Sequence, residues 1–316
     1  MSAPAPTLDA PLPVADEVLV EAWPAAARAP LLAALRRFLR GPGACLGLAV
    51  LVLLGAAAVL APWLAPQNPY DLAVLDIMDN MLAPGDAMAD GRIAWLGTDD
   101  QGRDMLSAIL YGLRISLGVA AASVAAAAAI GGTIGVVAAY AGGRVESFVM
   151  RAVDLQLSFP AILVALVLLA VFGRGIDKVI LALVIVQWAY YARTARGSAL
   201  AERRREYIEA AECLALSRAR VVFRHLLPNC LPPLIVVGTF QVARAIALEA
   251  TLSFLGLGVP VTEPSLGLLI ANGYQYMLSG KYWISFYPGI ALLITIIGIN
   301  LVGDQLRDVL NPRLQR

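Results

Sequence analysis

Residues 113–140 read LRISLGVAAASVAAAAAIGGTIGVVAAY, a run of 28 positions in which Arg114 is the one charged side chain. At about 1.5 Å of rise per residue a helix of this length exceeds the ~20 residues that cross a hydrocarbon core. It has no polar face to turn toward water, so it belongs in lipid or in a bundle. Outward from it, five more stretches have the same character: Ala44–Leu60, closed by Ala61-Pro62, then 152–172, 179–196, 233–258 and 284–303. The pattern predicts an all-α, polytopic membrane protein with six spans. The composition agrees, with 59% hydrophobic and 15% charged residues, where a soluble domain has roughly 45–50% apolar residues.

The basic residues orient the spans. Arg28, Arg36, Arg37, Arg40, Arg144, Arg151, eight arginines between 193 and 224, Arg307, Arg313 and Arg316 fall on one side, seventeen in all. Arg92, Arg103, Arg114, Arg174, Lys178 and Lys281 fall on the other, and Arg244 lies inside a span. The positive-inside rule makes the richer side the cytoplasm and places both termini there. The reading therefore divides the chain into a cytoplasmic tail 1–40, a first span 41–65, an outer loop 66–112, a five-helix core 113–306 and a tail 307–316. The Ala/Pro-rich stretch 1–30 cannot bury a core and is expected to stay disordered. The first apolar run begins too late for a signal peptide and is expected to remain uncleaved.

Several chemistries are excluded. Net charge is +1, which gives no bulk attraction to nucleic acid. His225 is the single histidine, and Cys45, Cys213 and Cys230 have no C-x-x-C spacing, so zinc sites and a disulfide framework are not expected. No G-x-S-x-G occurs. Gly280-Lys281 lacks the earlier glycine of a phosphate-binding loop, because position 275 is glutamine. The chain is therefore not expected to hydrolyse ATP of its own.

The inner loop 197–232 is expected to form one or two amphipathic helices. Tyr207, Ile208, Ala211, Leu214, Ala215, Val222, Phe223 and Leu226 recur at helical spacing opposite a charged face, bounded by Pro228 and Pro232-Pro233. Such a helix could lie on anionic lipid or present a docking face. Glu209-Ala210-Ala211, Ala215 four residues on, and His225-Leu226-Leu227-Pro228-Asn229 resemble the EAA loop of permease subunits of binding-protein-dependent ABC importers. Ala215 stands where that family usually has glycine, so it must accept a backbone that glycine adopts more readily.

The resemblance extends further, through Leu96-Gly97-Thr98-Asp99, Gly102-Arg103-Asp104, Gly112–Leu117, Ser158-Phe159-Pro160, Glu249–Gly258 and Gly303–Arg313. These look like the dipeptide/oligopeptide/nickel permease family, and the long first outer loop points to its second, C-type permease. Leu266 replaces a usual aromatic. The resemblance implies a type I importer permease fold and an inner-membrane ABC transporter importing short peptides or similar solutes by alternating access. It also implies a homologous second permease, two cytoplasmic ATPase subunits using ATP and Mg, and an extracytoplasmic substrate-binding protein, with no cofactor on this chain. Glu209, Ala210, Ala211, Ala215, His225 and Pro228 would then couple to the ATPases.

Residue physics adds three expectations. Gly131 and Gly135 form a small-xxx-small pair suited to close helix packing. Arg151 and Asp154 are spaced for a local ion pair. Arg244 and Glu249 sit inside the fifth span about 140° apart around the helix, so each needs a partner on another helix or water. They could touch substrate or knit the bundle. A secondary transporter working through these two residues is the rival reading.

Overall fold

The computed structural model describes residues 36–71, 75–260 and 262–310. The stretch 1–30 expected to be disordered and the motif residues Asn311, Pro312 and Arg313 lie outside the described residues. Helix α1 is Pro42–Val59, with Pro42 in its first turn, and α2 is the long Met105–Ala141. Next come α3 (Gly143–Ser158), α4 (Ala161–Phe172) and α5 (Ile176–Glu202). The short α6 (Glu206–Cys213) precedes α7 (Leu231–Phe254), α8 (Leu266–Tyr274) and α9 (Trp283–Leu310). Among the described residues β structure is confined to two isolated bridges in the outer segment, Ala87 with Ile93 and Thr98 with Asp104.

Helices α1, α2, α7 and α9 are each long and apolar enough to cross a membrane, and α3 with α4 would make a fifth if the pair is one broken span. The sixth expected crossing would have to be α5. It is 27 residues long, but Gln187, Arg193 and Arg196 interrupt its apolar surface.

The expected span 152–172 is corrected: α3 and α4 meet at 91°. Phe159 is extended, with φ −93° and ψ 142°, because the ring of Pro160 drives the preceding residue out of the helical region. The expected Arg151–Asp154 pair is corrected too. Asp154 instead pairs with Arg193, and Glu146 accepts from Arg196 Nε at 2.6 Å, so α3 is latched to α5. Pro232-Pro233, expected as breakers, lie in the first turn of α7. A proline there loses no hydrogen bond, since the first helical amides have no partner within the helix.

Helix α2 lies directly on α5. A Cβ on Gly131 would fall 2.1 Å from the Trp188 carbonyl oxygen, and one on Gly135 would fall 2.3 Å from that of Ala192. The two backbones touch, which is the packing that small residues permit in lipid. The outer segment is folded rather than a slack loop. Asp104 caps α2, accepting from the Ser107 amide at 2.8 Å, while its own amide donates to Gln67 Oε1 at 2.8 Å. Asp99 and Arg103 pair at 2.6 Å with both side chains sealed from solvent. Trp283 Nε1 donates to the Thr98 carbonyl at 3.2 Å and Lys281 Nζ to that of Met81 at 2.9 Å, fastening the segment to the start of α9. Leu266 is fully buried, in one cluster with Met105, Leu113 and Trp283.

Candidate coupling loop and intramembrane polar residues

The chain leaves α5 at Glu202 and turns into α6, and the Tyr207 hydroxyl donates to Glu202 Oε2 at 2.8 Å across that turn. Burial, with the Glu202 carboxylate beside it, pushes the Tyr207 phenol up to about 12. Helical spacing then sorts the motif. Ile208 and Ala211 point inward and are buried, whereas Glu209, Ala210 and Glu212 are exposed. Helix α6 ends in a two-bond cap: the Ala215 amide donates to the Glu212 carbonyl at 2.9 Å and the Leu216 amide to that of Ala211 at 3.2 Å. This cap requires a left-handed residue, and Ala215 fills it at φ +52°. The unfavourable backbone expected at this position is present.

Beyond the cap, Ser217 starts a second helical stretch that passes through a π-helical segment, Val221–Leu226. Such wide turns are frequent at functional sites. Val221, Val222, Leu226 and Cys230 are buried in one cluster with Ile208, Ala211, Val136, Ala139, Ala195 and Ala199. The loop is therefore a packed extension of α2 and α5. His225 is half-buried, its carbonyl accepting from Asn229 Nδ2 at 2.6 Å, and Pro228 is exposed. All six motif residues belong to this one segment. Leu214, 74% exposed, and Phe223, 53% exposed, leave apolar surface on the same loop that exposes Glu209. The Arg203 guanidinium lies 5.6 Å from the Tyr140 ring and donates to the Ala139 carbonyl at 3.2 Å, near the C-terminal end of α2.

Glu249 and Arg244 have opposite surroundings. Glu249 is fully buried, its two carboxylate oxygens accepting from Ser116 Oγ on α2 and Ser253 Oγ on α7, each at 2.8 Å. Ser265, whose Oγ caps α8 by accepting from the Leu268 amide at 3.2 Å, lies close to the same carboxylate. Close by, a Cβ on Gly267 would fall 2.4 Å from the Ala250 Cα, so α8 crosses α7 in backbone contact. Arg244 is exposed, with its guanidinium carbon 4.6 Å from the Tyr190 ring centroid. Sequence reasoning missed the three serines, although Ser253 stands one helical turn from Glu249. It also missed Tyr190, whose contact with α7 no local spacing encodes.

Comparisons with known proteins agree with this architecture. Residues 131–316 match the family described as binding-protein-dependent transport system inner membrane component, and residues 30–84 match the N-terminal TM domain of oligopeptide transport permease C. A protein of Brucella suis named for a peptide transport system permease is 39% identical, covering 91% of this chain and 94% of its own length. The dipeptide transport system permease protein DppC of Escherichia coli K12 is 38% identical, over 88% of this chain and 92% of its own. A solved chain of the MetNI methionine ABC transporter, in an inward-facing conformation, superposes with a TM-score of 0.53 at 22% identity over 65% of this chain and 97% of that one.

Proposed function

The chain belongs to the family of binding-protein-dependent transport system inner membrane components, and from that premise we propose that it is one permease of an ATP-driven peptide importer. It would form half of the pathway beside a homologous second permease, receive short peptides from an extracytoplasmic binding protein, and be driven by two cytoplasmic ATPase subunits that use ATP and Mg. Six crossings, with α5 as the sixth and both termini in the cytoplasm of a bacterial inner membrane, complete the proposal. The seventeen-to-six partition of basic residues supports this topology.

The observation that carries the reading is mechanical. The segment bearing Glu209 is packed into the ends of α2 and α5 through Ile208, Ala211, Val222 and Leu226, while Glu209 and Leu214 remain open. A force applied at Glu209 is thus passed to two long helices through a close-packed cluster. A carboxylate there can accept a charge-assisted hydrogen bond from a basic residue of an ATPase, and Ala210 leaves room for the partner surface. The secondary-transporter alternative is disfavoured by the sealing of Glu249 among serines, which leaves it no aqueous route.

Charge reversal by Glu209→Arg tests the proposal. Expected are loss of ATP-dependent uptake and weakened ATPase association, with membrane insertion and ligand capture by the binding protein intact. A helix that merely lay on anionic lipid would bind more tightly with an added arginine. Undiminished uptake by Glu209→Arg would sink the docking assignment.

A further inference from the structure

Arg244 lies 13 residues from Leu231 and 10 from Phe254 on α7, roughly 15–20 Å from either end of the helix. That is too deep for the side chain to reach the headgroups. A charged group at such depth must face water or an opposite charge. Among the described residues no carboxylate pairs with it; Glu249, on the same helix, is turned about 140° away and held by serines. The contact it does make is with the face of Tyr190, which fixes the guanidinium while leaving its five N–H donors open. A second observation lies one turn away on each helix. Gln241 Oε1 on α7, and both amide atoms of Gln187 on α5, are buried and without hydrogen-bond partners. Buried amides are normally satisfied.

We propose that Arg244, held on Tyr190, is the station in the translocation pathway that receives the free C-terminal carboxylate of the peptide. This rests on the transport function proposed above and names the part of the substrate that is read. A guanidinium matches a carboxylate with two parallel N–H donors. With no acid paired to it among the described residues, the site is biased toward the anionic end of a zwitterionic peptide. The path then favours solutes with a free carboxylate after the binding protein has released them.

The test uses the complete complex in proteoliposomes, with the cysteines at 45, 213 and 230 replaced and parental uptake retained. Arg244→Cys is expected to lower dipeptide uptake about tenfold or more, the size that losing one charge-assisted contact produces. Aminoethyl methanethiosulfonate, which restores a positive charge, is expected to recover most of that loss, and the negatively charged sulfonatoethyl reagent to deepen it. In the unmodified background the order of uptake is expected to be Arg244→Lys, then Arg244→Gln, then Arg244→Glu, with assembly and binding-protein-stimulated ATP hydrolysis retained. Three results would overturn the proposal: no labelling at position 244, equal effects of the two reagents, or collapse of assembly in Arg244→Gln. The last would mean that a carboxylate of the second permease is the true partner. Failure of the parental complex to take up dipeptide with ATP would instead refute the transport function, and is seen without any substitution.

Discussion

Replacing Ala215 by glycine should stabilise the coupling loop, which is the reverse of what glycine does within a helix. Ala215 is held at φ +52° by the two-bond cap that ends α6. For a residue with a Cβ this region costs about 1–2 kcal/mol. Against that, glycine adds about 0.4–1 kcal/mol of conformational freedom to the unfolded chain. The balance is a gain of about 0.5–1 kcal/mol for Ala215→Gly, with both cap hydrogen bonds kept. Hydrogen exchange at the Ala215 and Leu216 amides reads the opening of this cap directly, and should slow about two- to fivefold. Ala210→Gly, five residues earlier within the regular helix, should do the opposite, costing about 0.5–1 kcal/mol. Faster exchange in Ala215→Gly, or the same sign of change in both variants, would refute the argument that backbone strain is concentrated at this residue.

Gly131→Ala should separate α2 from α5, at a cost of about 1–3 kcal/mol typical of overpacking, whereas Gly118→Ala, with open space around it in the same helix, should raise the thermal midpoint in detergent slightly, by the helix preference of alanine over glycine, about 0.5–1 kcal/mol. Asp100 has a buried, unpartnered Oδ1, and burial, with the neighbouring Asp99 carboxylate, raises its pKa. Its ionised form therefore costs stability above the raised folded-state pKa, so Asp100→Asn should raise the thermal midpoint at neutral pH and lose that advantage as pH falls through that pKa. Glu249→Ala should strip Ser116 and Ser253 of their shared acceptor and reduce recovery of assembled complex, while Glu249→Gln, which keeps an acceptor, should assemble and transport. Loss of uptake in assembled Glu249→Gln would return this residue to the pathway.

Four of the six expected spans, α1, α2, α7 and α9, were legible because lipid demands long apolar runs, and α2 announces itself by that alone. The packing of the 197–232 loop was half legible: of its apolar positions at helical spacing, Ile208, Ala211, Val222 and Leu226 are buried together, while Tyr207, Leu214, Ala215 and Phe223 are exposed. The right angle at Ser158-Phe159-Pro160 was signalled by Pro160, whose effect on the residue before it is local, yet the apolar run across it reads as continuous. The pairing of Asp154 with Arg193, 39 residues away, was not legible, because i,i+3 spacing speaks only of neighbours on one helix. The cage around Glu249 was half legible: Ser253 lies one turn away, but Ser116, 133 residues distant, is brought there only by helix packing. The outer segment's fold rests on backbone carbonyls accepting from Trp283 and Lys281, partners that no residue pattern specifies.

The right angle between α3 and α4 also bears on how the chain is made. Helix α4 contains 12 residues, about 18 Å of helix against a core of about 30 Å. It is fully apolar but too short to be released into the bilayer by itself. Helix α5, which follows after Gly173-Arg174-Gly175, is long enough but carries Gln187, Arg193 and Arg196, each of which resists partitioning. The two glycines turn at φ +85° and +144°, folding the pair back on itself. If α4 and α5 both enter lipid, as the proposed topology has them, they are expected to do so together, as a single hairpin.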